Sequence, residues 1–143
     1  MASFAPAVIV HGAADVLLAV AAGRPVTLLS APGAASYAGC AWWRALVTRA
    51  RAAAPDLPVA DILDCGDASG HALAALRIGQ LHLVLWPDAA GWDAVAAMAA
   101  ARGGIVLRQA PPALDLAGHG AARRLHEWLH PPPAPGDSNA PLR

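Results

Sequence analysis

Residues 60–70 read ADILDCGDASG, and this stretch decides the fold. Apolar residues run up to Leu63. Asp64, Cys65 and Asp67 follow, and Gly66 and Gly70 flank the start of a helical pattern. The stretch reads as a strand feeding a polar loop that opens a helix. In open α/β sheets, ligands lie outside the carboxyl ends of the strands, so this loop is where chemistry is expected.

The same unit recurs on either side. Upstream, Ala7–His11 is a short β-branched run, the first strand. Ala13–Ala22 has a helical pattern and stops at Gly23, a natural residue just past a helix end. Val26–Ser30, the second strand, is almost wholly apolar, as strands covered on both faces are. Ala31–Gly33 is a turn. Ala34–Ala54 is the longest predicted helix, halted by Pro55 and Pro58, and Val59–Asp64 is the third strand.

Downstream, Ser69–Ile78 is a helix closed by Gly79. Leu81–Trp86 is the fourth strand, with a Pro87-Asp88 turn. Ala90–Arg102 is a helix ended by Gly103-Gly104, and Ile105–Leu107 is the fifth strand. A Pro-broken loop, Ala110–Ala113, leads to a last helix over Gly120–Leu129, which Pro131–Pro133 forbid to continue. Strands alternating with helices imply βαβ units and a mostly parallel sheet. The prediction is an α/β fold: a three-layer α/β/α sandwich on a five-stranded sheet, with flavodoxin-like topology. Residues 1–130 form a single domain, and the Pro-rich tail 131–143 is expected to be disordered, because it has little to bury.

Segment Asp61–Arg108 resembles the second half of a response-regulator receiver domain. Asp64 ends the third strand, a short Gly-containing loop precedes a helix, and the fifth strand is followed by Pro. The family places an acid pair after its first strand to hold Mg²⁺, where this chain has His11-Gly12. It places a Lys near the end of its fifth strand, where this chain has Arg108-Gln109. The resemblance implies a degenerate receiver-like signalling domain.

Composition excludes several classes. The chain has 143 residues, ten basic and ten acidic, and no formal net charge. Every basic residue is Arg, and Glu127 is the only Glu. With abundant Ala, Gly and Pro, this fits a GC-rich bacterial genome. A neutral chain lacks the basic stripe that nucleic acid requires. Apolar content is 57%, yet no run is long enough to span a membrane. The two cysteines, Cys40 and Cys65, fit free thiols in a reducing cytoplasm.

Four groups of residues are candidates for function. Ser30-Ala31-Pro32-Gly33 joins a strand to a helix and could offer backbone N–H groups to an anion, or serve as a plain turn. Asp64, Cys65 and Asp67 could hold a cation or work as acid, base and nucleophile, with His11 or His71 as a base. Their bland roles are Asp67 as helix cap and Cys65 as a small buried hydrophobe. His126–His130 matches HExxH, with His119 near the same face, but the helix ends at once and no third ligand follows, so no metal is expected. Trp42 and Trp43 diverge on one helix, with Arg44, Thr48 and Arg51 marking its solvent face. Ala90–Arg102, around Trp92, has almost no polar face, as a covered helix does.

These features predict a small soluble cytoplasmic domain whose first reading is a non-catalytic self-associating or partner-binding module, most simply a homodimer. The alternative is a small-molecule-binding protein or enzyme with Ser30, Gly33, Asp64, Cys65, Asp67, Trp86 and Asp88 at one sheet edge. No motif identifies a cofactor.

Overall fold

The structure is a computed structural model that describes residues 3–131. The predicted tail lies outside the described residues apart from Pro131. Twelve elements follow in order: β1 (Ala7–Val10), α1 (Ala13–Ala21), β2 (Val26–Ser30), α2 (Ala34–Tyr37), α3 (Cys40–Ala53), β3 (Val59–Asp64), α4 (Ser69–Arg77), β4 (His82–Val84), α5 (Trp92–Ala101), β5 (Ile105–Leu107), β6 (Ala113–Asp115) and α6 (Ala121–Leu129). The α/β class and the parallel sheet follow the strand–helix alternation. No described helix is long and apolar enough to cross a membrane.

The sheet has six strands rather than five, all parallel, in the order β5-β4-β3-β2-β1-β6. The extra strand, β6, pairs with β1 through Ala7↔Ala113 and Val8↔Leu114. It lies where a Pro-broken loop was expected. Pro112 comes just before it, a position a short edge strand tolerates because no ladder N–H is lost there. The flavodoxin order 2-1-3-4-5 would set β1 between β2 and β3; here β2 lies between β1 and β3.

This order explains the layering. Strands β1 to β5 are added in one direction, and right-handed crossovers in one direction leave the helices on one face. Val8, Val10, Leu28, Leu63, Leu83 and Leu114 point to that face. They share one core cluster with Val16 and Val20 of α1, Trp43 and Val47 of α3, Leu76 of α4, Val95 of α5 and Leu125 of α6. The opposite face buries Leu29, Ile62 and Val84 against Phe4, Ile9, Leu107 and Ala113, with no helix residue among them. The segment before β1 lies along it: Thr27 Oγ1 donates to Ala5 O at 2.8 Å, and Phe4 meets the His82 ring edge-on at 5.3 Å. Among the described residues, then, helices form one layer rather than the expected two.

The long helix predicted over Ala34–Ala54 is two helices. Gly39 between them has φ +87°, a left-handed value that glycine adopts at little cost and other residues avoid. The break turns α3 so that Trp43, 0% exposed, enters the core, while Trp42 packs half-buried beside it.

Candidate functional site

The parallel sheet carries Ser30, Asp64 and Asp115 to the same carboxyl edge, and the loop after β4 brings Trp86 there. Asp64 is 2% exposed and Ser30 1%. Asp64 Oδ1 accepts the Gly33 N–H at 3.1 Å and the Gly66 N–H at 2.9 Å. Ser30 Oγ accepts the Asp64 N–H at 2.8 Å and donates to Ala31 O at 3.2 Å. Two of these bonds, Gly33 N–H to Asp64 Oδ1 and Asp64 N–H to Ser30 Oγ, join the end of β2 and its loop to the end of β3, and the other two brace each loop locally. An ionised acceptor makes its hydrogen bonds about twice as strong as neutral ones, so Asp64 is well suited to holding a loop.

Gly66 has φ +55°, and a Cβ there would lie 3.6 Å from Gly33 Cα and 3.9 Å from the Trp86 ring. Trp86 N–H donates to Gly66 O at 2.8 Å. Ser30, Gly33, Asp64, Gly66 and Trp86 therefore form one packed group. Asp67 and Asp88 are exposed, and neither carboxylate has a hydrogen-bond partner among the described residues. Asp67 does not cap α4: the cap position is Ala68, without a side-chain bond. Ser69 Oγ instead ties the helix start to Ala90 O.

Cys65 is buried and free, as is the thiol state of half-buried Cys40. Burial first, then the Asp64 charge and then Cys40, push the Cys65 thiol up to about 12. A nucleophilic thiol needs the opposite shift. Native protein treated with iodoacetamide at pH 8 should be alkylated at Cys40 and spared at Cys65, with both modified in urea. Rapid native labelling of Cys65 would contradict the burial described here.

His11, considered as a base for Cys65, is engaged elsewhere. Its Nε2 lies 2.7 Å from Asp115 Oδ1, and its backbone N–H donates to Asp15 Oδ2 at 2.8 Å. Burial opposes ionisation of Asp115, but the His11 ring, the Ala117 N–H and the His11 charge outweigh it and lower its pKa. His71 is exposed on α4. Arg108 lies over the Trp92 ring, 4.3 Å from its centre. At the end of α6 the rings of His126 and the capping residue His130 lie 4.0 Å apart, with His130 Nδ1 2.7 Å from His126 O.

Sequence reading missed two groups. One is the His11–Asp115 pair, because β6 was not recognised. The other is a buried polar cluster toward the amino ends of β3 and β4. Asp61, 6% exposed, gathers Trp43 Nε1 at 3.1 Å, Arg44 Nη1 at 3.3 Å, Arg51 Nη2 at 2.9 Å and Gln80 Nε2 at 2.9 Å. Arg44 and Arg51, expected on the solvent face of α3, lean over to this carboxylate. Asp61 among residues 60–64 looked like an ordinary strand position, and only the approach of α3 reveals its role.

No protein-family model matches this chain, and no curated protein matches it. The functional reading therefore rests on the geometry.

Proposed function

We propose that this chain is a non-catalytic binding module that presents the carboxyl edge of its sheet to a protein partner. The observation that carries this reading is how that edge divides its side chains. Of its polar groups, Ser30 and Asp64 are buried and bonded to loop backbone, and the exposed His11 and Asp115 are bonded to each other. The side chains that could serve recognition are Trp86, 44% exposed in the loop after β4, and Tyr37, 70% exposed at the end of α2, together with exposed Asp67 and Asp88 in the loops after β3 and β4. Exposed aromatic residues are favoured anchors at interfaces.

The acids select the partner. A second copy docked through this edge would set Asp67 and Asp88 against themselves, which costs affinity. A segment with Arg or Lys beside an apolar side chain complements it. The expected homodimer keeps a different surface, the exposed Ala94, Ala97 and Ala101 of α5, and sedimentation at micromolar concentration tests it separately.

Retention of proteins from a cell lysate on immobilised wild type, compared with the Tyr37→Ser/Trp86→Ser variant, tests the partner reading. Wild type should retain a component that salt elutes and that the variant does not hold. The same set on both columns would contradict it.

Small-molecule chemistry at this edge is the second reading. The His11–Asp115 contact at 2.7 Å favours it, because a carboxylate fixes an imidazole for proton transfer.

A further inference from the structure

The Asp61 cluster has more positive charge than it needs. One carboxylate faces two guanidiniums, Arg44 and Arg51. Gln80 is fully used: its Nε2 donates to Asp61 and to His82 O at 2.9 Å, and its Oε1 accepts from Arg44 at 3.1 Å. Arg51 also donates to Val59 O at 3.0 Å. Each guanidinium thus spends one terminal nitrogen, Nη1 of Arg44 and Nη2 of Arg51. Their other N–H groups have no acceptor among the described residues.

These groups are open to solvent. The Arg44 side chain is 30% exposed and that of Arg51 42%. Both line a cavity of about 270 Å³ at the amino edge of the sheet, with Val59, Leu81 and His82 among its other walls. Ligand pockets run from about 300 Å³ upward, so this one suits a molecule of a few heavy atoms.

We propose that this cavity binds a small organic acid through its carboxylate. The surplus is one positive charge, which one carboxylate neutralises. A guanidinium offers parallel N–H donors matched to the two oxygens of a carboxylate. Both arginines are already immobilised on Asp61, so binding costs little further side-chain ordering. Val59 and Leu81 supply an apolar wall for a short hydrocarbon chain. This site is at the opposite edge from the partner surface and does not depend on it.

The cluster contains its own reporter, since Trp43 Nε1 donates to Asp61. The ¹⁵N-labelled full chain is titrated with sodium butyrate against sodium chloride at equal ionic strength. Butyrate should shift the Trp43 indole N–H saturably and leave the Trp86 indole, at the far edge, unmoved. Leu81 is 41% exposed at the cavity. Leu81→Glu places a like charge near the ligand and should weaken binding about tenfold, while Leu81→Gln should bind as wild type does. Arg44→Gln, which keeps the Arg51–Asp61 contact, is a second variant expected to lose binding. A linear shift equal to that with chloride, butyrate affinity unchanged in both Leu81→Glu and Arg44→Gln, or saturation by inorganic phosphate but not by butyrate would overturn the proposal.

Discussion

Gly104→Ala should destabilise the protein by about 3 kcal/mol or more, although it adds a single methyl group. A Cβ at Gly104 would lie 1.9 Å from Leu81 O and 2.7 Å from Leu81 C. These are backbone atoms, so no rotamer change relieves the clash. The Leu81 carbonyl accepts the Ile105 N–H at 3.1 Å, and Gly104 N–H donates to Ala99 O at 2.8 Å. Moving either segment breaks the junction that starts the β4–β5 pairing and ends α5. Overpacking costs about 1–3 kcal/mol and sometimes more, and a lost hydrogen bond adds about 1 kcal/mol. Urea denaturation checks this, and a loss under about 1 kcal/mol would show that the two segments are not in contact.

Trp43→Ala should cost about 3–5 kcal/mol, the range for removing a large buried aromatic side chain. Trp43 is fully buried in the cluster shared by the sheet and all the longer helices. Its loss opens a cavity under α3 and removes one donor from buried Asp61. Domains of this kind are stable by only about 5–15 kcal/mol, so the variant should be near unfolding at ordinary temperature. Trp43→Phe separates the two effects. It keeps most of the packing and lacks the N–H, so its cost should be about 1.5–3 kcal/mol, the worth of a hydrogen bond to a charged group. Equal losses in the two variants would mean that packing contributes nothing beyond the Asp61 contact.

What could be read from residues alone was whatever left a local periodic signal. The apolar runs at 7–10, 26–30 and 59–64 are strands in the structure, and Gly or Pro marks most helix ends. Ala113–Asp115 left no such signal, since three residues after two prolines hold less than two full alternations. The break at Gly39 was hidden because Ala-rich residues 34–38 continue the helical pattern of α3. Strand order was beyond reach, since crossovers of similar length connect neighbours in either direction. At the candidate site, the strand-end positions of Ser30 and Asp64 were legible, whereas the strand expected over Leu81–Trp86 is only His82–Val84 and leaves Trp86 in the following loop. What was not legible was that Gly33 and Gly66 present their N–H groups to Asp64. That depends on two loops 31 residues apart meeting in space.

The polar cluster of Ser30 and Asp64 at the carboxyl edge belongs to the fold and not to a reaction. Urea denaturation of Asp64→Ala at pH 7 tests this most directly. The variant leaves the Gly33 and Gly66 N–H groups without their acceptor, and only the backbone N–H of residue 64 to Ser30 Oγ still joins the two segments. Two charge-assisted bonds, at about 1.5–3 kcal/mol each and not fully additive, set the expected loss at about 2–4 kcal/mol. A buried carboxylate kept for chemistry costs stability, and its removal leaves stability unchanged or raises it. A loss of about 2–4 kcal/mol is the result predicted here, and a variant as stable as wild type, or more so, would contradict it.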